Sequence, residues 1–308
     1  MNHNKKIILS SIAAIILGLT GCQSNHTITV DDHNKMVTIP SSPQKIVVIN
    51  YGALDTLDAL GQNKRVIGTS LSSLPNYLNQ YKKSNVLDTG KMKEPNIEVI
   101  KAANPDLIII GGRQASKQNA LTKIAPVINL DVDAQNYLES ASNNITLLGK
   151  ITQSDKIAAN YIQSLANNIN QAQSLTTNSN KRAIIALHND GKVMLMNNGT
   201  NAALIYDVLN VKRAVAAPAN NIIKSAERPK PTFVDNQYIA NNKPDIIYLI
   251  DRSKAIGANA INPNYFDKKV LAKTGTKVVY LTADIWYLSG GGIESLERQI
   301  DEVIEPFK

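Results

Sequence analysis

Two arginines occupy the same position in two copies of one short sequence pattern. Arg113 stands eight residues after Pro105, and Arg252 stands eight residues after Pro244, with a Pro-Asp pair and an aliphatic run in between. A guanidinium donates charge-assisted, often bidentate hydrogen bonds to oxyanions. An arginine after a strand can also pair with a local carboxylate. The repeat in both halves favours a pair of matched donors for one anionic ligand.

The aliphatic run before each arginine predicts the element that positions it. Residues 107–110 and 246–250 are short, almost entirely apolar, and bounded by Pro-Asp and by Gly or Asp. Such runs are typical of strands buried on both faces, as in a parallel sheet. Strand patterns alternate with helical patterns along the chain, which predicts an α/β fold. Ligands of open α/β sheets bind at the carboxyl ends of strands, where both arginines would lie.

A long helical stripe divides the chain into two halves. Its apolar positions follow helical spacing, at Ala158, Tyr161, Ile162, Leu165, Ile169 and Ala172. We predict two Rossmann-like α/β lobes, at 36–153 and 179–308, joined by a single long helix at 154–178, with a ligand cleft between them. The polar residues 22–35 predict a tether with little structure, and residues 284–292 predict a loop.

The N-terminus predicts export. Lys5 and Lys6 precede an apolar run at 7–19 that is too short to span a membrane as a mature helix. The sequence Leu-Thr-Gly-Cys ending at Cys22 resembles a bacterial lipobox. We therefore predict a signal peptide at 1–21 and a lipid on Cys22, which would hold the protein on the cell envelope, in the periplasm or on the outer face of the cytoplasmic membrane. Cys22 is the only cysteine, so an internal disulfide is excluded.

Several classes of function are disfavoured by composition. The net charge of +8 suits an anionic ligand, but no Lys/Arg-rich run or interleaved aromatic stripe indicates nucleic-acid binding. His188 is the only histidine in the predicted lobes, and zinc sites need several ligands, so we interpret it as structural. No Gly-x-Ser-x-Gly elbow is present, and we predict no enzymatic activity. Residues 290–292 are glycines before a helix, either an anion-binding turn or only a tight turn.

Several segments together carry a family resemblance. They are the lipobox, the run LDTLDALG at 54–61, PNIE at 95–98 followed by Pro-Asp, IDR at 250–252, and WYLSGGGIESL at 286–296. The chain resembles the substrate-binding lipoproteins of bacterial ferric-siderophore ABC importers, which are class III periplasmic binding proteins, and especially those that bind ferric catecholates. The resemblance implies two lobes with little hinge motion and a shallow cleft. It also implies a monomer without intrinsic cofactor that delivers an iron(III)-siderophore to a permease with a cytoplasmic ATPase.

The resemblance implies roles for individual residues. Arg113 and Arg252 match two arginines of a basic triad that holds the anionic complex. Tyr287 matches a tyrosine that ligates iron in some members, and Glu98 matches a glutamate that docks on the permease. We also expect ligand contacts from Tyr51, in the turn after the first buried strand, and from Trp286, next to Tyr287.

Three positions depart from the family pattern. The third arginine of the triad falls near Asn201, which is neutral. The histidine that partners the tyrosine on iron falls near Lys230, close to Arg228, and we expect these residues near the ligand. The docking glutamate of the second lobe falls at Gln237, which stands seven residues before Pro244 as Glu98 stands before Pro105.

Alternatives remain open for the ligand and for Tyr287. Another bulky chelate could fill such a cleft, but cobalamin lacks concentrated negative charge, and haem usually needs a His or Tyr axial ligand. An envelope lipoprotein without a transport role is a further alternative. Tyr287 would donate a hydrogen bond to a fully coordinated iron complex, or ligate iron as a phenolate where the chelate leaves sites open.

Overall fold

The computed structural model describes residues 26–32, 35–217 and 230–308. The predicted signal peptide, Cys22 and Arg228 lie outside these residues. Within them the chain forms two sheets built mainly from parallel strands, with helices packed around both, in agreement with the predicted α/β class.

The N-terminal half contains a parallel sheet with strand order β5-β4-β3-β8-β9 and two small hairpins, β1-β2 and β6-β7. Residues 63–65, 76–83 and 112–117 form 3-10 turns. The regular elements, in chain order, are β1 (Thr27–Asp32), β2 (Lys35–Pro40), β3 (Ile46–Val48), α1 (Tyr51–Ala59), β4 (Val66–Thr69), β5 (Leu87–Asp88), β6 (Gly90–Lys91), β7 (Glu94–Pro95), α2 (Ile97–Ala103), β8 (Leu107–Ile110), α3 (Gln118–Leu121), β9 (Val127–Asn129) and α4 (Tyr137–Ile151).

Helix α5 (Asp155–Thr177) leads into the second half, whose sheet has the order β11-β10-β13-β14 with β12 beside β10. Residues 203–208 form a π-helical turn and 305–307 a 3-10 turn. The elements are β10 (Arg182–Asn189), β11 (Lys192–Leu195), α6 (Thr200–Ala202), β12 (Lys212–Arg213), α7 (Asn236–Asn242), β13 (Ile246–Asp251), α8 (Arg252–Ala255), α9 (Lys268–Thr274), β14 (Lys277–Leu281), α10 (Ala283–Leu288) and α11 (Ile293–Ile304).

The two repeated aliphatic runs are the central strands β8 and β13, as predicted. Every residue of both strands is buried, because each strand has a parallel neighbour on both sides and helices on both faces. Strand β11 is the exception to parallel pairing in the second sheet. It forms a hairpin with β10 through Asp190 and Gly191, which both have positive φ, as expected for a tight Asp-Gly turn.

Helix α5 connects the two hydrophobic cores. Ala158, near its start, packs into the core of the first sheet, whereas Leu165, Ile169 and Ala172 pack into the core of the second. At about 1.5 Å per residue, its 23 residues extend about 34 Å. The helix therefore passes from one lobe into the other, in the position that the apolar stripe predicts.

Two further helices pack against both cores. Tyr137 and Ala141 of α4 contact the second core, and Ile145 and Leu148 contact the first. In α11, Ile293 contacts the first core, and the following apolar residues contact the second. The lobes thus share three helices along their boundary.

Two local predictions are wrong. Residues 27–32 lie in the segment predicted as a tether with little structure, but they form β1, because Ile28 and Val30 face the protein and the Asp32 carboxylate accepts the backbone N–H of Asn129 at 3.1 Å. The predicted loop at 284–292 begins as helix α10, because Ile285 and Trp286 are buried against the second core. Within the described part of the chain, no helix has the length and apolarity needed to cross a bilayer.

Candidate functional site

The two repeat arginines converge on one side chain. Arg113 follows β8 in the first lobe, Arg252 follows β13 in the second, and Tyr287 lies between them on α10. The guanidinium carbon of Arg113 is 4.9 Å from the centroid of the Tyr287 ring, and that of Arg252 is 5.4 Å away. The carboxyl ends of two strands therefore bring two cations to one phenol.

Arg252 is partly buried and held at several points. Its Nε donates to the Tyr287 hydroxyl at 2.7 Å, and its Nη1 donates to the Asn189 side-chain oxygen. Asn189 is the last residue of β10, which lies beside β13. The side chain is thus fixed by groups from a neighbouring strand and from α10 before any ligand arrives.

A buried pair supports the segment that carries Arg252. His188 Nδ1 lies 2.7 Å from Asp251 Oδ1, and His188 Nε2 accepts the Gly191 N–H at 3.1 Å. Because Nε2 accepts, the Nδ1 proton donates to Asp251. Asp251 also caps α8 by accepting the Lys254 N–H. These contacts tie the β10–β11 turn to the start of α8, and hydrogen bonds from His188 and from backbone amides hold the pKa of Asp251 below its usual value despite burial.

Arg113 is exposed and has fewer contacts. Its Nη2 donates to the backbone carbonyl of Tyr287, one of the carbonyls left free in the last turn of α10. The backbone beneath it is well supported, since the buried Gln114 side chain accepts the Gly111 N–H at 2.9 Å and donates to Met92 O at 2.6 Å. At Gly112, a Cβ would lie 2.3 Å from the Asp131 carboxylate, so a larger residue here would require the Asp131 side chain to move.

An inner chamber of about 270 Å³ extends from Arg113 between the lobes. Its first-lobe wall comes from the turns after β3, β8 and β9, and its second-lobe wall from residues 200–201, 288–291 and Gln299. Asn201 lies on this wall, and its Nδ2 donates to the Trp286 carbonyl at 3.3 Å. Tyr51 also lines the chamber, but its hydroxyl donates to Ser70 O at 2.7 Å, and burial raises the pKa of this phenol.

A joint between the lobes fixes the segment next to Tyr287. The buried Asp55 carboxylate of α1 accepts the Glu294 N–H at 2.9 Å and the Ser295 N–H at 2.8 Å, both in the first turn of α11. Burial raises the pKa of Asp55 to about 6, against the effect of these donors. Gly52 packs so closely on this connection that a Cβ there would lie 2.3 Å from Gly290 O. The glycines at 290–292 therefore allow the backbones of the two lobes to approach each other closely.

The remaining predicted residues lie elsewhere. Trp286 does not face the cleft, because helix α10 turns its side chain away from Tyr287. The residue is 2% exposed in the second core, and its Nε1 donates to Glu302 at 2.8 Å. Lys230 is exposed and does not line the inner chamber. It is not among the hydrogen-bond partners of Arg252, which are Tyr287 and Asn189. Glu98 and Gln237 are both exposed, each in the first turn of a seven-residue helix, α2 and α7.

Sequence reasoning missed the residues that support the arginines. Asn189 accepts a hydrogen bond from Arg252, and Gln114 supports the backbone turn that carries Arg113. His188 has the structural role that was predicted, and it plays that role by pairing with Asp251, next to Arg252. Asn189 follows the predicted strand as part of the Asn-Asp-Gly turn, so adjacency of β10 to β13 was the missing information. Among the described residues, no group of three or more His, Cys, Asp or Glu side chains is arranged to hold a metal ion.

Two α/β lobes that meet at a cleft lined by strand-end arginines define a two-lobed ligand-binding protein. A family model described as "Periplasmic binding protein" matches residues 46–276, and the chain belongs to this family, as predicted. The chain is 32% identical to the petrobactin-binding protein YclQ of Bacillus subtilis over 96% of each chain. The crystal structure of YclQ superposes with a TM-score of 0.82 over 92% of this chain and 99% of that one, which confirms the two-lobed fold.

Two other relatives match over nearly their whole length. The ferric-anguibactin-binding protein FatB of Vibrio anguillarum is 26% identical over 98% of each chain. The siderophore-binding protein BauB, solved with two acinetobactin molecules and ferric iron, is 26% identical, with a TM-score of 0.80 over 92% of this chain and 99% of that one.

Proposed function

We propose that this protein is an extracytoplasmic binding protein that captures an anionic iron(III)-siderophore, most favourably a catecholate, and delivers it to an ABC permease. The observation that carries the proposal is the convergence of Arg113 and Arg252, from different lobes, on the single phenol of Tyr287. The names of the relatives YclQ, FatB and BauB support the same class of ligand.

The chemistry of the arginine pair suits aryl oxyanions. A guanidinium can donate hydrogen bonds to a phenolic oxygen and can also stack on an aromatic ring. Arg252 donates to the Tyr287 hydroxyl, and the guanidiniums of Arg113 and Arg252 both lie over the Tyr287 ring. A catecholate presents the same ring with two anionic oxygens. A ferric tris-catecholate is a trianion, so its oxygens would make charge-assisted hydrogen bonds with both arginines.

Tyr287 is proposed to donate a hydrogen bond to the bound chelate rather than ligate iron. Its hydroxyl accepts from Arg252 Nε and so keeps its own proton for donation. Among the described residues that contact Tyr287, none is a histidine. Lys230 stands at the position suggested for such a partner, but a lysine ammonium cannot ligate iron. This role favours a chelate that already fills the coordination sphere of iron.

The remaining parts of the proposal concern the cell envelope. A lipid on Cys22 would tether the protein to a membrane, and the protein would act as a monomer without an intrinsic cofactor. Glu98 and Gln237 would face the permease, because their helices occupy equivalent places before β8 and β13 and leave both side chains exposed. An ionic contact would then form on the first lobe and a neutral one on the second.

A fluorescence titration of the mature protein tests the proposal. Trp286 is the only tryptophan, and its proximity to Tyr287 allows energy transfer to an absorbing ferric chelate without contact. We expect saturable quenching at micromolar concentrations or below with ferric catecholates, and weaker or no response with hydroxamate and carboxylate chelates, cobinamide and haem. Saturable binding of haem or cobinamide alone would replace the siderophore proposal, and no response to any ligand would reject it.

A further inference from the structure

Arg252 is oriented by neutral groups and not by carboxylates. Its Nε donates to the Tyr287 hydroxyl at 2.7 Å, and its Nη1 donates to the Asn189 side-chain oxygen. Within the described ranges, neither Arg252 nor Arg113 forms an ion pair with an acidic side chain, although three of the four other arginines there do. Those three pairs are Arg182 with Asp245, Arg213 with Asp207, and Arg298 with Glu294.

Two acidic residues stand close to Arg252 without neutralising it. Asp251 precedes it in the chain, but one oxygen of this carboxylate is paired with His188 and both oxygens accept backbone N–H groups. Asp190 lines the same surface groove as Arg252 and forms no ion pair with it. The guanidinium therefore keeps its full positive charge while its position is fixed.

The identity of the acceptor at position 189 decides how much of that charge is left for a ligand. A carboxylate there could accept the same hydrogen bond from Arg252, but its negative charge would offset the attraction of the guanidinium for an anion. The amide oxygen of Asn189 fixes the side chain through a dipole and adds no net charge. An aspartate and an asparagine at this position would thus orient Arg252 alike and differ in what the ligand experiences.

We propose that Asn189 is a positioning residue that sets the charge selectivity of the cleft: it orients Arg252 through a neutral acceptor, so that affinity rises with the negative charge of the chelate. This inference rests on the proposed function, because it takes Arg252 as a contact of the bound chelate. It narrows that function to a preference for trianionic complexes over complexes of the same shape that carry less negative charge.

The test compares three chelates built on one tripodal amine, so that shape stays nearly constant while charge changes. Three catechol amides on this scaffold hold iron(III) as a trianionic centre and titanium(IV) as a dianionic one, and three hydroxypyridinone amides hold iron(III) as a neutral one. Affinity is measured by isothermal titration calorimetry, which does not depend on how a chelate absorbs light. We expect the wild-type protein to bind the trianion best and the neutral complex worst, with roughly fivefold or more between successive complexes.

Two substitutions of Asn189 separate its charge from its hydrogen bond. Asn189→Asp should weaken the trianion roughly 30-fold and the dianion roughly tenfold, and leave the neutral complex within about twofold, because each ligand charge meets the added carboxylate. Asn189→Ala leaves Arg252 to be ordered on binding, so it should weaken all three complexes by the same factor, about fivefold. A residue with a merely structural role would give equal losses for the three chelates in both variants.

Asn180→Asp is the matched control. Asn180 is exposed just before the opposite end of β10, and its side-chain oxygen accepts from the Lys212 ammonium at 3.1 Å, so a neutral amide again faces a cation. The substitution changes the net charge of the protein by the same amount as Asn189→Asp. Affinity for each of the three chelates should stay within about twofold of the wild-type value, because salt screens exposed charges that are far apart.

Several results would overturn the inference while the proposed function stands. They are equal wild-type affinity for the three chelates, a uniform loss in Asn189→Asp, or the same charge-dependent loss in Asn180→Asp. Asn189→Ala gives an independent test should Asn189→Asp not fold, since a loss confined to the trianion in the alanine variant would also contradict the proposed role. Failure of the wild-type protein to bind any of the three chelates would instead reject the proposed function, and the inference with it.

Discussion

Arg113 and Arg252 reach the same tyrosine from opposite lobes, yet they are held in different ways. Arg252 is partly buried and donates to Tyr287 and Asn189, above the His188–Asp251 pair. Arg113 is exposed and donates to one backbone carbonyl. In the second lobe the side chain itself is fixed, whereas in the first lobe only the backbone turn beneath it is fixed.

The difference indicates a division of work in ligand capture. Ordering a long side chain on binding costs about 0.5–1.5 kcal/mol, and a side chain that is already ordered avoids most of that cost. Arg252 is therefore expected to contribute most of the net affinity. Arg113 can adjust to chelates of different shape, because its contact is made by a free end.

The largest effect is expected at Asp55, whose carboxylate connects α1 to the first turn of α11. Burial raises the pKa of Asp55 from 3.8 to about 6, so the folded protein holds this proton more tightly than the unfolded chain does. The contribution of Asp55 to the free energy of unfolding therefore falls as pH rises from about 4 to about 6, by about 3 kcal/mol at roughly 1.4 kcal/mol per pKa unit.

Denaturant unfolding of the wild-type protein and Asp55→Asn, at several pH values, measures this contribution. The quantity compared is the free energy of unfolding of the wild-type protein minus that of Asp55→Asn. Other carboxylates titrate in both proteins and cancel in this difference, which should decrease as pH rises from about 4 to about 6. A difference that increases instead would mean that the N–H donors of α11 stabilise the Asp55 carboxylate more than burial destabilises it.

The next effect concerns the fixed arginine. Arg252→Ala removes a preorganised charged donor, and we expect affinity for a ferric tris-catecholate to fall roughly 100-fold, or about 3 kcal/mol. Arg182→Ala is a matched control. Arg182 is the first residue of β10, at the end of the sheet away from Arg252, and its side chain is about half exposed. Equal losses from the two changes would show that Arg252 acts only through net charge.

The adjustable arginine should matter less. Arg113→Ala should weaken the same complex roughly tenfold, about 1.5 kcal/mol, because Arg113 must be ordered when the ligand binds. Its melting temperature without ligand should barely change, since the side chain is exposed. A loss equal to or larger than that of Arg252→Ala, measured by the same quenching titration, would contradict the division of work between the lobes.

The sequence predicted the arginine pair because the pattern that carries it is local. A Pro-Asp pair, a buried run and an arginine lie within nine residues, and parallel pairing then places each arginine at the carboxyl end of its own sheet. The linking helix was predictable for the same reason, since its apolar spacing is continuous. The tyrosine between the arginines came from family resemblance, not from any local pattern.

What the sequence did not reveal depends on contacts between distant segments. Asn189 and Arg252 are 63 residues apart, and Asp55 and Ser295 are 240 apart. Trp286 was expected at the ligand because it adjoins Tyr287, but successive residues of a helix point in different directions, and a loop had been predicted there. Gln299 lies on an amphipathic helix where a buried amide has no sequence signal.

The smallest effect concerns the residue that both arginines contact. Tyr287→Phe keeps the ring that lies under the two guanidiniums and removes only the hydroxyl that accepts from Arg252 and would donate to the chelate. If iron arrives fully coordinated, affinity should fall by about 1 kcal/mol, roughly fivefold, with no change in the visible spectrum of the bound complex. Tyr287→Ala serves as the harsher comparison, because it also frees both arginines and should weaken binding further.

If Tyr287 instead ligates iron as a phenolate, a tetradentate ferric chelate should shift its charge-transfer band on binding the wild-type protein, and Tyr287→Phe should abolish that shift. Such a shift would contradict the hydrogen-bonding role, and it would make the tyrosine, rather than Arg252, the strongest contact in the cleft.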